Sequence, residues 1–194
     1  RTISTELVSQ VGEEANMPFA VGGGIKNLDE IQNIIARGAE KVIINTCAVE
    51  NPKFIREASD NFGSSTIVVC IDVKKKFFSG EVVWRNSGSK SSKYSPKDFA
   101  KIIEENGAGE IIIQSIDKDG TMSGYDLDLV KEISTAVAIP VVALGGAGNL
   151  EHMIEAYKKG FASALAAGSL FVFQGPNKGV LINYIEKSDL SFFR

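Results

Sequence analysis

Short runs of apolar, often β-branched residues alternate with amphipathic segments along most of the chain. The apolar runs are nearly continuous in Val, Ile, Leu and Ala, which is typical of parallel strands buried on both faces. They predict six strands, at residues 18–21, 41–45, 66–72, 110–115, 140–144 and 163–167. The intervening segments predict helices at residues 28–37, 52–61, 96–106, 127–138 and 150–159. This alternation indicates an α/β protein with a parallel sheet, either open or closed into a barrel.

An internal repeat bears on the choice between these two architectures. Residues 21–24, Val-Gly-Gly-Gly, are followed by Asn27, and residues 144–147, Leu-Gly-Gly-Ala, are followed by Asn149. Each copy reads as a strand, a glycine turn, a helix, a glycine and a further apolar strand. A Rossmann sheet is the structural alternative, but it does not explain this repeat. A barrel built from two similar halves does.

The number of strands then indicates which part of a barrel is present. Six predicted strands plus two upstream of Arg1 make the eight of a closed barrel, which typically has about 250 residues. We therefore predict an α/β protein of the (β/α)₈ TIM-barrel class, with the N-terminal two βα units absent from this chain. Residues 1–194 are expected to form one such incomplete barrel domain, and the chain is expected to begin in the middle of a helix.

Residues 74–95 interrupt the alternation. Residues 77–84, Phe-Phe-Ser-Gly-Glu-Val-Val-Trp, predict a hairpin, and a Ser-, Gly- and Lys-rich stretch follows to Ser95. A loop of about 20 residues in a compact domain is usually functional or mobile. Because it follows the strand that ends at Asp72, we expect it to cover a substrate at the catalytic face of the barrel.

Composition excludes several classes of protein. The chain is 44% hydrophobic and 23% charged, with a net charge of −3, so a disordered chain and a general nucleic-acid or membrane-surface binder have no support. No apolar run approaches the roughly 20 residues of a membrane span, and no secretory leader is recognisable. Cys47 and Cys70, both assigned to strands, read as reduced, buried thiols. We expect a cytoplasmic protein with neither nucleic acid nor membrane as a partner.

Polar residues and glycines follow the predicted strands repeatedly, at the edge where parallel barrels place their active sites. Two glycine turns, at residues 22–24 and 145–146, precede helices, where backbone N–H groups favour an anion. Because the two turns are related by the repeat, they predict two phosphate sites on opposite sides of one barrel mouth. Asp72 ends an apolar strand and is a candidate general acid or base, or else a partner of Lys74 or Lys75.

Other polar residues leave alternatives open. Asp117 and Asp119 have catalytic potential, but aspartates in turns often cap the next helix. His152 is the only histidine and is expected at the surface, so no metal site and no cysteine nucleophile are predicted. Lys41 and Glu110 each begin a strand, at the end opposite Asp72. Such charges are often solvated, but if both point inward they would form a charged ring around an opening.

Several motifs together resemble the HisF family, the cyclase subunits of imidazole glycerol phosphate synthase. They span residues 21–25, 41–52, 72–74, 107–110, 115–126 and 145–148. The most specific is the stretch 117–126, Asp-Lys-Asp-Gly-Thr-Met-Ser-Gly-Tyr-Asp. The resemblance implies a (β/α)₈ barrel of two similar halves. It further implies that a HisH-type glutaminase docks at the barrel bottom in a heterodimer, and that ammonia passes through the barrel to a bis-phosphorylated ribulosyl aminoimidazole carboxamide nucleotide.

The resemblance also implies roles for individual residues. Asp72 corresponds to the second of two catalytic aspartates, the first of which would lie upstream of Arg1. Lys41 and Glu110 correspond to members of an ammonia gate. No cofactor is implied. The phosphate-binding residues carried over are Gly24, Asn45 and Thr46 for one site and Asp119, Gly120, Gly146 and Ser169 for the other.

Some positions depart from the family pattern. Family members in histidine synthesis usually have Thr at the position of Gln114 and Ser at that of Leu144, and Gly168 reads as an insertion. The tail, residues 167–175 and 180–184, resembles the WbuZ-type paralogues, associated with amidation of surface-polysaccharide sugars. Two alternatives to the cyclase therefore remain. One is a barrel that channels ammonia for sugar amidation, and the other is a non-catalytic scaffold that activates a glutaminase.

Overall fold

A computed structural model describes residues 3–76, 80–175, 179–182, 184–186, 190 and 192. The helices are α1 (Thr5–Glu14), α2 (Leu28–Ile35), α3 (Thr46–Glu50), α4 (Lys53–Phe62), α5 (Pro96–Glu105), α6 (Leu127–Ser134), α7 (Leu150–Lys158) and α8 (Ser169–Val172), with a 3₁₀ turn at Ser64–Thr66. The strands are β1 (Ala20–Gly22), β2 (Lys41–Ile44), β3 (Ile67–Lys76), β4 (Gly80–Arg85), β5 (Lys90–Ser91), β6 (Glu110–Ser115), β7 (Val141–Leu144), β8 (Ala164–Ala166), β9 (Phe173–Gln174) and β10 (Gly179–Val180).

Six parallel strands form one curled sheet in the order β1-β2-β3-β6-β7-β8. Strand order follows chain order, except that β4 and β5 lie outside this series. β4 pairs antiparallel with β3, and β5 pairs antiparallel with β4. Helices lie between successive strands, so the sheet is a partial (β/α)₈ barrel with six strands present. The predicted fold class and all six predicted strands are confirmed.

The two faces of the sheet differ in burial. One face packs under the helices, whose apolar stripes supply fully buried residues such as Ile31, Ile55 and Ile103. Burial alternates along β2, β6 and β7, so that their other face is only half-buried. This second face is the concave one, which forms the interior of a barrel. β3 is buried on both faces from Ile67 to Ile71 and is the best-covered strand of the sheet.

The internal repeat has a structural counterpart in two helix caps. The Asn27 side chain accepts the N–H of Glu30 at 2.9 Å at the start of α2, and the Asn149 side chain accepts the N–H of His152 at 2.9 Å at the start of α7. Each asparagine satisfies a backbone donor that the first helical turn leaves unpaired. The two repeats therefore share their capping chemistry as well as their glycine turns.

Several sequence predictions are corrected by the structure. α1 begins at Thr5, because the Ser4 side chain caps it by accepting the N–H of Leu7, so the predicted start in mid-helix is wrong. α6 ends at Ser134, where Thr135 turns its hydroxyl back to the Lys131 carbonyl. Cys47 lies in α3 and not in a strand. Within the described part of the chain, no helix is long and apolar enough to cross a membrane.

The predicted hairpin is present in a shifted form. β3 continues past Asp72 to Lys76 and pairs with β4, with Lys76 opposite Gly80. Residues 77–79 of the predicted hairpin lie outside the described residues. The Trp84 ring donates its N–H to the Lys74 carbonyl at 3.1 Å and so fixes the base of the hairpin beside the carboxyl end of β3.

Candidate active site

The carboxyl ends of the six parallel strands bring one group of predicted residues together. A cavity of about 270 Å³ is lined by residues of the turn after β1, the ends of β2 and β3, and the hairpin segment: Gly22, Gly23, Gly24, Ile25, Ile43, Ile44, Asn45, Thr46, Cys70, Asp72 and Ser87. The candidate acid–base residue and all three candidates for the first phosphate site therefore share one cavity.

Asp72 is a half-buried carboxylate at the rim of this cavity. Burial raises its pKa, and the negative charge of Asp119 acts in the same direction, while hydrogen bonds from the Cys70 thiol and the Asn45 side chain oppose the rise. The Cys70 sulfur lies 3.5 Å from Asp72 Oδ1. A carboxyl group with a raised pKa can both donate and accept a proton nearer to neutral pH than an ordinary aspartate.

The alternative interpretation of Asp72 as a partner of a neighbouring lysine is wrong. Lys74 places its ammonium 5.6 Å from the centre of the Trp84 ring, and the Lys75 ammonium lies 3.8 Å from the Glu81 carboxylate. Among the described residues, Asp72 forms no ion pair with either lysine. The strand explains why: side chains at 72 and 74 point to the same face, but the strand carries Lys74 beyond Asp72 onto the hairpin.

The first phosphate cluster combines a glycine turn with two polar side chains. Gly23 and Gly24 have φ angles of 126° and 70°, which only glycine adopts readily. Asn45 and Thr46 come from the neighbouring strand end, where the Thr46 hydroxyl lies 3.5 Å from Asn45 Oδ1. A second, larger cavity of about 820 Å³ extends from Gly24 and Thr46 outward to Lys26, Glu50 and Asn86. The cluster has room for a phosphate and for the group attached to it.

The second predicted cluster lies across the sheet from the first. Asp119 and Gly120 follow β6, Gly146 follows β7 and Ser169 follows β8, so these residues come from three adjacent strands. The Gly124 N–H donates to the Gly146 carbonyl at 2.8 Å, which joins the turn after β7 to the loop after β6. These strands lie on the other side of β3 from β1 and β2. A second phosphate site on the opposite side of the mouth stays a prediction.

Lys41 and Glu110 form an ion pair at the amino ends of β2 and β6. β3 lies between those strands, so the pair bridges across it. Lys41 lies on the same face of the sheet as Ile43, and Glu110 lies on the same face as Ile112. In each strand this is the half-buried, concave face. The two charges therefore point inward at the edge opposite Asp72. This is the arrangement in which they would border an opening at the bottom of the barrel.

A column of side chains connects these two edges along the concave face. In the register of the sheet, Val68 is opposite Glu110, Cys70 is opposite Ile112 and Asp72 is opposite Gln114. Alternate residues of a strand share a face, so Val68, Cys70 and Asp72 follow one another from the amino edge towards the carboxyl edge. The ion pair and the acid–base candidate are the two ends of this column.

Three features of the site were not predicted from the sequence. The sequence predicts Cys70 only as a buried thiol, although its position two residues before Asp72 places it on the same strand face. Gln114 donates to Asp119 Oδ2 at 3.3 Å, a bond that depends on loop geometry and has no local signal. His152 keeps a partly exposed side chain, and its Nδ1 accepts the Gly148 N–H at 3.2 Å, a contact with the loop before α7.

These observations define a class of protein: a partial (β/α)₈ barrel with a half-buried carboxyl group of raised pKa and glycine turns at the carboxyl edge and a charged pair at the amino edge. A family model described as "Histidine biosynthesis protein" matches residues 1–175. The chain belongs to this family, among the HisF subunits.

Individual relatives support the same assignment. The imidazole glycerol phosphate synthase subunit HisF of Chlorobium phaeobacteroides is 46% identical over 90% of this chain and 69% of its own length. The subunit HisF of Lachnoclostridium phytofermentans is 42% identical over 98% of this chain and 74% of its own. A hisF2 protein of Pseudomonas aeruginosa is 43% identical over 95% of this chain and 74% of its own length.

Proposed function

We propose that this chain carries the cyclase site of an imidazole glycerol phosphate synthase. The reaction uses ammonia to convert a bis-phosphorylated ribulosyl aminoimidazole carboxamide nucleotide into imidazole glycerol phosphate and an aminoimidazole carboxamide ribotide. One observation carries the proposal: Asp72, with its raised pKa, shares a cavity with Gly24, Asn45 and Thr46. An acid–base group beside an anion site is what ring closure on a phosphorylated substrate requires.

The two phosphate clusters would hold the substrate by its ends. The first cluster follows β1 and β2, and the second follows β6 to β8, so a substrate bound to both passes over the end of β3. Asp72 is on β3. A substrate with phosphate groups at both ends is thereby placed with its central, reacting atoms above Asp72, and binding at the ends orients the chemistry in the middle.

Asp72 then has two proton transfers available. When ammonia attacks the carbonyl carbon of the substrate, a C–N bond forms and the carbonyl oxygen needs a proton before it can leave as water. The protonated Asp72 carboxyl donates that proton. As a carboxylate, Asp72 then accepts a proton from the new nitrogen as this nitrogen attacks the carbon that joins the two halves of the substrate. The ring closes when the C–N bond from that carbon to the aminoimidazole carboxamide half breaks, and the ribotide leaves as its amine after taking up a proton. The raised pKa favours this role, because it makes the carboxylate a stronger proton acceptor than an ordinary aspartate and leaves more of the group protonated at a given pH.

Ammonia would reach this site along the concave face. The column of Val68, Cys70 and Asp72 leads from the Lys41–Glu110 pair to the mouth, and apart from the thiol its first steps are apolar. An apolar path favours neutral ammonia over ammonium, which is the form that reacts. We place the docking site of a glutaminase of the HisH type at the amino edge, beside Lys41 and Glu110.

The test supplies free ammonium salt and the ribulosyl nucleotide to the full natural gene product that contains this chain. We expect turnover without a glutaminase, and stimulation of the glutaminase when that subunit is added. Absence of turnover with saturating ammonium would contradict the cyclase. Retained stimulation of the glutaminase would then favour a barrel that only conveys ammonia.

A second candidate function has one specific observation in its favour. Gln114 and Leu144 are paired in register at the mouth, next to Asp72, so a long amide and an apolar side chain border the reacting region. Under this alternative the barrel supplies ammonia for sugar amidation. It predicts stimulation of the glutaminase with no ammonium-dependent conversion of the nucleotide.

A further inference from the structure

The segment that follows β4 has an unusual backbone. Asn86, Ser87 and Gly88 are consecutive residues with φ angles of 52°, 54° and 73°. The first two carry side chains, and residues with a Cβ rarely adopt this left-handed conformation. We call residues 86–88, which lie between β4 and β5, the β4–β5 turn. Backbone conformations of this kind persist only where surrounding contacts hold them, and they cluster at ligand sites.

The β4–β5 turn is held against α3 on one side and closed by its own hydrogen bonds on the other. The Asn86 N–H donates to the Thr46 hydroxyl oxygen at 3.1 Å, and Arg85 forms an ion pair with Glu50. On the other side, Ser89 donates both its N–H and its hydroxyl to the Asn86 carbonyl, at 3.2 and 2.7 Å. The turn is therefore anchored directly to Thr46, a residue of the first phosphate cluster.

Ser87 occupies a special place in this turn. It lines the cavity of about 270 Å³ that contains Asp72 and Asn45, and it also lines the neighbouring cavity of about 820 Å³. Asn86 lines the larger cavity. Ser87 therefore lies where the two cavities meet and is the residue that the segment after β4 contributes to both. The other residues that line both cavities are Gly23, Gly24, Ile25 and Thr46.

We propose that Ser87 is a further substrate-binding residue, whose hydroxyl donates a hydrogen bond to the phosphate group held by Gly24, Asn45 and Thr46. The inference rests on the proposed function for the identity of the substrate. A phosphate dianion accepts several charge-assisted hydrogen bonds, so a donor from a further segment of the cavity lining adds to those already present. The turn after β1 and the end of β2 supply Gly24, Asn45 and Thr46, and Ser87 lines the same cavity from the segment after β4.

The experiment compares three variants in the full natural gene product. Ser87→Ala removes the hydroxyl and keeps a Cβ. Ser87→Gly removes the hydroxyl and also relieves the strain of the left-handed conformation, because glycine has no Cβ. Ser89→Ala is the matched control, because it removes a hydroxyl two positions further along the chain while its N–H still holds the Asn86 carbonyl. Each protein is measured for KM and kcat with saturating ammonium. Calorimetry gives the Kd of the ribulosyl nucleotide and of inorganic phosphate.

We expect both Ser87 variants to weaken nucleotide binding by about tenfold, with kcat changed by less than about twofold, as for loss of one hydrogen bond to a charged group. Ser89→Ala should bind as the wild type does. Unchanged Kd values in both Ser87 variants would overturn the inference. So would weakening in Ser87→Ala alone, because that result would assign the effect to the backbone conformation.

The same measurements separate this inference from the proposed function. If the wild type binds the nucleotide without turning it over, the cyclase is wrong, and the Kd values still decide the role of Ser87. If the wild type binds neither the nucleotide nor phosphate, both proposals are wrong. If it binds and turns over but the Ser87 variants match it, only the role of Ser87 is wrong.

Discussion

Asp72 lies where a fully buried strand reaches the mouth of the barrel, and this position gives the carboxyl group its chemistry. Ile71 before it and Val73 after it are buried on the opposite face, while Cys70 and Asn45 reach its own oxygens. The group is covered enough to raise its pKa and open enough to meet a substrate. A fully exposed aspartate would lack the first property, and a fully buried one would lack the second.

Replacing Asp72 by asparagine tests its catalytic role. Asp72→Asn keeps the size of the side chain and one acceptor oxygen but cannot transfer a proton, so ammonium-dependent turnover should fall by about 10²–10⁴-fold. Asp60→Asn, which changes an exposed aspartate of α4, is the control and should retain full activity. Steady-state kinetics at saturating ammonium provide the measurement. Equal activity of the two variants would remove Asp72 from the mechanism.

The same substitution should stabilise the fold. Because burial raises the pKa of Asp72 above 3.8, the folded state binds this proton more tightly than the unfolded chain does. The cost of the buried charge is therefore fully present above the raised pKa and is lost as the pH falls below 3.8. Asp72→Asn should have the higher midpoint of urea unfolding at neutral pH, and the difference should shrink on acidification. A difference that grew on acidification would reverse the assigned direction of the pKa shift.

At the scale of elements, the glycine turns are positioned by close backbone contacts as well as by φ. A Cβ at Gly146, where φ is 103°, would lie 2.1 Å from the Gly124 carbonyl oxygen, whereas a Cβ at Gly120, where φ is 71°, would meet nothing within 4 Å. The turn after β7 can therefore approach the loop after β6 only if residue 146 lacks a side chain.

These two glycines make a matched pair for a stability measurement. Gly120→Ala should cost about 1–2 kcal/mol, the cost of a left-handed conformation in a residue with a Cβ. Gly146→Ala adds a collision with backbone and should cost about 3 kcal/mol or more. Free energies of unfolding from urea titrations compare the variants. Equal losses would indicate that φ alone, and not the contact with Gly124, requires glycine at position 146.

The elements also show which features the sequence could predict. The strands were recognisable because each apolar run is long enough to be buried on both faces, and the long helices because their apolar stripe meets the sheet. α3 was missed because five residues, Thr46–Glu50, are too few for helical periodicity to show. The extension of β3 to Lys76 was missed because Lys74–Lys76 are polar, and only pairing with β4 makes them a strand.

For the candidate site, the strand ends were predictable and the contacts between loops were not. Parallel strands place Asp72, Asn45 and Gly146 at one edge of the sheet for any loop conformation. The hydrophobic periodicity that predicts the strands therefore also predicts that these residues share an edge. The bonds from Asn86 to Thr46 and from Gln114 to Asp119 join residues 40 and 5 positions apart through loop geometry. Such contacts depend on tertiary packing, for which the local sequence has no signal.

At the scale of the whole molecule, the sheet separates two charged regions. The Lys41–Glu110 pair lies at the amino edge and Asp72 at the carboxyl edge, and the concave column of β3 joins them. A substitution in the pair should therefore act on the passage of ammonia and leave the chemistry at the mouth unchanged.

Lys41→Met tests this separation. It leaves Glu110 without its partner at the amino edge, so glutamine-dependent turnover with the glutaminase subunit should fall by about tenfold. Turnover with saturating ammonium should stay within about twofold of the wild type. Lys101→Met, on the exposed side of α5, is the control and should change neither rate. Equal losses of both rates in Lys41→Met would show that the pair supports the mouth and not the passage.

The most direct measurement of the central claim follows the ammonia nitrogen itself. The full natural gene product is incubated with isotopically labelled ammonium and the ribulosyl nucleotide, and both products are analysed by mass spectrometry. We predict equimolar formation of imidazole glycerol phosphate, which carries the label in its ring, and of aminoimidazole carboxamide ribotide, which carries none. Recovery of the nucleotide unchanged, with no labelled imidazole product at saturating ammonium, would contradict the account.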